Sequence, residues 1–251
     1  MSDLSLTAAD GIARLCLTRP DVYNALSPAL LRELLDKCTE INGDDSIKVV
    51  VFDGAGRNFC AGADLPEFMR EMQSAPEATA DLGRRAAEAI ATLPQITIAA
   101  IHGHCIGGAI VLAAACDLRV AADDSRFSIP ELDAGIPLSW GGMHHVIRLV
   151  GESLANDLVL SCRPFDAREA ADCGFVSRIV PRDRFAEDIK TLARSIARKP
   201  HIVLRQTKRK LRAIRDGSFD ARDDAQEMVA AISDPEARAV SDAYISKHIG
   251  K

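Results

Sequence analysis

Among the side chains able to carry a proton, Glu131 has the most distinctive surroundings: it follows Pro130, which fixes the chain locally, and lies between Ile129 and Leu132. A carboxylate among apolar neighbours loses hydration, and that loss raises its pKa towards the range useful for acid/base work. Two upstream loops carry small residues in pairs, Gly62-Ala63 within Phe59-Cys-Ala-Gly-Ala-Asp-Leu65 and Gly107-Gly108 within Gly103–Gly108. Small residues let a ligand reach the main chain, and fixed backbone N–H groups in a dry site stabilise an oxygen that gains negative charge in a transition state. Gly108 stands where a helix should begin, so the helix N-terminal dipole would add positive potential there.

Other chemistries fare worse. Glycine-rich loops also cradle nucleotide phosphates, but Gly54-Ala-Gly56 lacks the third glycine of a dinucleotide loop, and Gly107-Gly108 is not followed by Lys-Ser/Thr. His144 and His145 are adjacent, and adjacent residues on a helix point in different directions, so no metal site is implied. His102 and His104 read as packing or backbone-bonding histidines. Seven cysteines stand at 16, 38, 60, 105, 116, 162 and 173 with no CxxC pair, the pattern of reduced, buried thiols; Cys60 and Cys105 alone lie near the candidate loops. The 251-residue chain is 47% hydrophobic and 27% charged with a net charge of -5, so nothing global favours nucleic acid or an anionic membrane. The apolar stretch Ile96–Cys116 is interrupted by His102, His104 and three glycines, which argues against a membrane helix. The first ten residues carry two acids and no signal-peptide pattern, so the expectation is a soluble, cytoplasmic protein.

The elements that must position these residues follow from periodicity. Leu4–Leu6 and Ile12–Leu17 read as strands of a hairpin, ending at the turn Arg19-Pro20-Asp21. Ser27-Pro28 starts a helix whose apolar face is Leu30, Leu31, Leu34, Leu35, Cys38 and Ile41. Lys48–Phe52, Ile96–Ile101 and Leu118–Ala121 are apolar runs of the kind buried on both faces, each followed by a loop: 59–65, 103–108 and 127–131. Ala109–Cys116 reads as a helix of small residues. Such strand-to-loop units predict an α/β architecture whose loops gather at the same strand ends. From about Asp183 onward the pattern is amphipathic helix alone, over Phe185–Arg198, Ile202–Ile214, Ala221–Ile232 and Asp234–Ile249. The basic run Lys208-Arg-Lys-Leu-Arg212 reads as a solvated helix face.

Four blocks, in this order, resemble the crotonase (enoyl-CoA hydratase/isomerase) superfamily: Arg19–Leu26, Phe59–Leu65, His102-Gly-His-Cys-Ile-Gly-Gly-Ala109 and Phe127-Ser-Ile-Pro-Glu-Leu-Asp-Ala-Gly135. The similarity runs from about Gly11 to about Pro181, more weakly beyond. The resemblance implies a repeated ββα spiral core acting on acyl-CoA over residues 1–195, with a C-terminal α-helical trimerisation region over 196–251. It places the two oxyanion-hole amides on Ala63 and Gly108, beside Gly107, and the family's second catalytic glutamate at Glu131. It further implies main-chain contacts to coenzyme A near Ala25 and Ala61, an acyl-CoA loop continuing through Asp64-Leu65, and a looser match of Tyr244 and Lys247 to C-terminal contacts. Coenzyme A enters as part of an acyl-CoA thioester substrate rather than as a cofactor, and the assembly implied is a homotrimer or hexamer.

Two departures bear on mechanism. Hydratases of this family resemble one another in a further glutamate three residues after the oxyanion glycine; here that position is Val111, which neither accepts a proton nor orients water. A single carboxylate suffices to shift a double bond from the 3,4 to the 2,3 position, so the pattern favours 3-enoyl to 2-enoyl-CoA isomerisation of the fatty-acid β-oxidation type. The alternatives are hydration with Ser139 or Asp133 replacing the missing acid, another chemistry of the superfamily such as decarboxylation or thioester hydrolysis, and non-catalytic acyl-CoA binding. The second departure is Trp140, the single tryptophan, where the family has small residues before Gly141-Gly142; it either walls the acyl pocket or belongs to the core.

Overall fold

The structure, a computed structural model, describes residues 2–248. Strands β1 (Leu4–Ala9) and β2 (Ile12–Leu17) form the expected antiparallel hairpin across Asp10-Gly11. Helix α1 (Pro28–Asn42) begins where Ser27 Oγ accepts the Leu30 N–H at 3.0 Å with Pro28 in the first turn, and it buries Leu30, Leu31, Leu34, Cys38 and Ile41. There follow β3 (Val49–Gly54), α2 (Leu65–Met72), α3 (Pro76–Thr92), β4 (Ile96–Ile101), β5 (His104–Ile106), α4 (Gly108–Ala115), β6 (Leu118–Ala122) and β7 (Arg126–Ser128). Next come α5 (Gly142–Val150), α6 (Glu152–Ser161), β8 (Phe165–Asp166), α7 (Ala167–Asp172) and β9 (Arg178–Val180). Four helices close the chain: α8 (Phe185–Ala197), α9 (His201–Arg215), α10 (Asp224–Ser233) and α11 (Pro235–His248). Ile249, assigned to the last helix from sequence, lies outside the described residues.

A six-stranded sheet runs β1-β2-β3-β4-β6-β9, parallel from β2 onward, and a three-stranded sheet runs β5-β7-β8. The ββα repeat is visible in their pairing. Strands β4 and β6 each leave the large sheet, contribute a short strand to the small one, β5 or β7, and then enter a helix, α4 or α5. After β3 the second strand shrinks to one bridge, Cys60 to Cys105, before α2. The 127–131 segment, expected to be loop throughout, therefore starts as strand: Phe127 pairs with both Cys105 and Phe165.

The continuous apolar runs are explained by packing on both sheet faces. Val50, Phe52, Ala99, Ile101 and Ala121 join the main core, while Val49, Val51, Ile98, Ala100, Val120 and Ala122 pack under Phe185, Ile189, Leu192 and Ala193 of α8. Helix α9 is anchored by Lys208, a correction to its reading as solvated. Its buried Nζ donates to the Gln95 carbonyl at 2.6 Å and pairs with Asp117 at 2.7 Å, so the charge is met by two acceptors rather than by water. Helices α10 and α11 bury no residue, and α11 is tied at its start by Glu236 to Lys48 and to the His201 N–H. Among the described residues no helix is long and apolar enough to cross a membrane.

Candidate active site

The loop after β3 is held by buried amides. Asn24, fully buried, donates through Nδ2 to the carbonyls of Ala55, Asn58 and Phe59 at 2.9, 2.8 and 3.2 Å, and Asn58 Oδ1 accepts the His104 N–H at 3.0 Å. These bonds fix the first glycine loop against the second. Ladder bonds then use almost every amide: Ala61 N–H donates to Tyr23, Leu26 N–H to Gly62, Asp64 N–H to Leu26, Ile106 N–H to Cys60, and Gly107 N–H to Ser128, all within 2.8–3.1 Å. The alternation skips Ala63 on one loop and Gly108 on the other. Neither amide donates to any acceptor among the described residues.

The two free amides belong to one place. A Cβ built on Gly62 would lie 2.7 Å from the Ile106 carbonyl and 3.6 Å from the Gly108 nitrogen, so a side chain there would part the loops. Gly107 has φ +53°, and a Cβ on it would lie 2.7 Å from Glu131 Oε1. Absence of a side chain at 107 thus both permits the turn into α4 and makes room for the carboxylate. Ala63, Gly108, Val111, Glu131, Ser139 and Trp140 line one mainly apolar cavity of about 250 Å³, completed by Leu65, Phe68, Met69 and Met72 from α2 and by Ile136–Leu138.

Glu131 is the one carboxylate that lines this cavity among the described residues. Its Oε2 is buried without a hydrogen-bond partner, and burial raises its pKa, opposed in part by a hydrogen bond from its own backbone N–H. A carboxylate poorly solvated by its surroundings is a stronger base than one in water, and it stands beside donors able to receive an oxyanion. The arrangement can abstract a proton next to a carbonyl whose oxygen rests on amides 63 and 108.

Val111, one turn into α4, is buried and faces the cavity, where its Cγ2 lies 2.8 Å from a Cβ built on Gly142. Of the two polar substitutes considered for it, Ser139 lines the cavity and donates to the Pro137 carbonyl at 3.3 Å, whereas Asp133 is exposed and does not. Trp140 walls the cavity and packs against the core as well, its ring centroid 5.8 Å from that of Phe68.

The expected coenzyme-side residues are placed less directly. Leu65 reaches the cavity, but the Asp64 carboxylate caps α2 and pairs with Arg19 at 3.1 Å. The Ala25 carbonyl accepts from Arg19 Nη1 at 2.6 Å, and the Ala61 N–H is used by Tyr23, so both main chains serve the loop scaffold. Tyr244 and Lys247 are exposed on α11 and line no part of the cavity within one chain; Tyr244 stacks on His248 at 4.5 Å. Arg19, binding Asp3, Asp64 and Glu67, and Asn24 are scaffold residues that the sequence did not single out as such. Phe68 and Met72, four apart on α2, and Gly83 within α3 were missed too; a glycine inside a helix was the available signal.

No histidine lines the cavity among the described residues. His104 Nδ1 contacts Asn58 Oδ1 at 2.8 Å, the buried His102 ring packs on Phe185 at 5.5 Å, and the described residues hold no cluster of three or more metal-ligating side chains. All seven cysteines are free, and burial pushes the Cys60 thiol up to about 12 and that of Cys105 well up too.

Residues 7–244 match the family described as Enoyl-CoA hydratase/isomerase. The chain is 35% identical over 224 residues to the 2,3-dehydroadipyl-CoA hydratase of Escherichia coli (strain K12), spanning 88% of this chain and 86% of that protein. It is 34% identical over 217 residues to the mitochondrial Delta(3,5)-Delta(2,4)-dienoyl-CoA isomerase of Mus musculus, spanning 81% of this chain and 66% of that one. The crystal structure of enoyl-CoA hydratase from Bacillus anthracis superposes with a TM-score of 0.90 at 30% identity, covering 98% of this chain and 96% of that chain. Free amides on paired small-residue loops, a desolvated glutamate beside them and a match across nearly the whole chain converge, and the protein belongs to the enoyl-CoA hydratase/isomerase family of the crotonase superfamily.

Proposed function

We propose that the protein is a 3-enoyl to 2-enoyl-CoA isomerase working with one acid/base group. The Glu131 carboxylate takes a proton from C2 of a 3-enoyl thioester, and the electron pair of that C–H bond moves into the carbonyl, giving a dienolate. Its oxygen is held by the N–H groups of Ala63 and Gly108 and by the start of α4. The protonated Glu131 then returns the proton to C4, the double bond comes to rest between C2 and C3, and no water or oxidant is consumed. The observation carrying this reading is that Glu131 lines the cavity while the position one turn into α4 holds Val111. A mainly apolar wall suits an acyl chain and keeps the enolate dry.

Hydration of 2-enoyl-CoA is the second reading, favoured by the Ser139 hydroxyl in the same cavity. Separate incubations with 3-enoyl- and 2-enoyl-CoA decide between them, with products resolved by mass and retention time. Isomerisation leaves the mass unchanged and carries deuterium from C2 of a C2-deuterated 3-enoyl thioester to C4; hydration adds the mass of one water. Release of free coenzyme A would point to thioester hydrolysis, and binding without turnover to a carrier. Full turnover by Glu131→Gln would overturn the mechanism.

We also propose self-association as a homotrimer or hexamer. Met228, Val229 and Ile232 of α10 are exposed apolar side chains at positions 0, 1 and 4 of a helix that buries nothing within the chain, which supports a surface meant for another copy.

A further inference from the structure

Trp140 touches two cavities. It lines the acyl cavity of about 250 Å³ and also a cleft of about 310 Å³ lined by Arg84, Glu88, His144, Arg212, Arg215 and Asp216. The first is walled mainly by carbon and the second by charge, and the indole stands between them.

Three features hold the ring in that place. It lies flat over Gly83 of α3 and edge-on over Gly108 of α4, so that a Cβ built at either position would fall inside the indole. Glycine inside a helix costs about 1 kcal/mol relative to alanine. At Gly83 that cost has a physical counterpart, since no larger residue leaves space for the ring. Phe68 closes the third side, its ring tilted 38° to the indole. The backbone of Trp140 itself has φ +61°, followed by Gly141 at +74°. A left-handed conformation is strained for a bulky residue and persists only where the surroundings enforce it. The side chain is therefore directed to this spot at a backbone cost, beside the amide that receives the carbonyl oxygen.

We propose that Trp140 determines acyl-group specificity by closing the acyl cavity against the charged cleft behind it, so that short acyl groups are accepted and longer ones meet the indole. This rests on the acyl-CoA reading of the site. Beyond the indole, an aliphatic chain would have to run among Arg84, Arg212 and Arg215, a poor environment for methylenes, so the ring marks the end of favourable burial.

The test is a ladder of saturated thioesters, butyryl-, hexanoyl-, octanoyl- and decanoyl-CoA, which lack the double bond and report binding alone. Dissociation constants are measured by calorimetry on the native protein, on Trp140→Ala and on Trp140→Phe. For the native protein, affinity rises with each methylene and then stops at a defined length. In Trp140→Ala that break moves to a longer chain, and each methylene now accommodated tightens binding about fourfold, the equivalent of roughly 0.8 kcal/mol of burial. Trp140→Phe breaks in between and preserves ring packing, so it carries the test if the alanine protein melts early. A break at the same length in all three proteins overturns the proposal while leaving the acyl-CoA site intact. Failure of the native protein to bind any of the thioesters overturns the reading of the site, and this inference with it.

Discussion

At the scale of single residues, the protonation of Glu131 sets two observables of opposite direction. As a base it must be ionised, so isomerisation falls as pH drops through its pKa, and burial places that acid limb above the ordinary carboxylate range. For stability, a carboxyl whose pKa is raised by folding contributes most below its unfolded pKa, and that contribution is lost as pH rises through the folded value. At neutral pH the ionised, partnerless Oε2 is thus a cost to the fold. Glu131→Gln should lower turnover by about a hundredfold or more, the usual worth of a general base, yet melt higher than the native protein at neutral pH. Thermal melts across the acid range should show that advantage shrinking as native Glu131 protonates; an unaltered gap would mean that its carboxyl is solvated. Val111→Glu addresses the complementary position. Because Val111 faces the cavity, the new carboxylate should add hydration of a short 2-enoyl thioester, read as product one water heavier; no gain would mean that the added group turns away.

At the scale of elements, α9 hangs on one buried cation. Lys208→Met keeps the stem and removes the contacts to Gln95 and Asp117, and Asp117 retains the Thr97 N–H and hydroxyl at 2.8 and 3.0 Å. The expected loss is about 1–3 kcal/mol, measured as a lower urea midpoint at unchanged slope. That anchor was hidden in the sequence for a physical reason: a lysine within a basic run reads as solvated, and its acceptor lies 113 positions away. Helices α8 and α9 were legible to within two residues because amphipathic periodicity extends over three turns or more. Strands β5, β7 and β8 were not, since two or three residues with a single buried side chain hold no period. The two loops with unpaired amides were legible because an open approach to the main chain is advertised by missing side chains. The partition made by Trp140 was only half so: the tryptophan is conspicuous, but the glycine in α3 that receives it lies 57 positions earlier.

At the scale of the whole molecule, one surface is unfinished. Light scattering coupled to size exclusion should give the mass of a trimer or hexamer, and Met228→Glu combined with Ile232→Lys should reduce it to that of one chain; a native monomer would overturn the assembly. The sulfur chemistry concerns the body of the protein as well. Cys60 and Cys105 are partners in the bridge that joins the two small-residue loops, within a few residues of the unpaired amides of Ala63 and Gly108. Both sulfurs are fully buried and neither lines the cavity, so a carbonyl resting on those amides meets no thiol. Burial pushes both thiols up as it does the Glu131 carboxyl, so the dry packing that makes the carboxylate a better base leaves the neighbouring sulfurs protonated and poor nucleophiles.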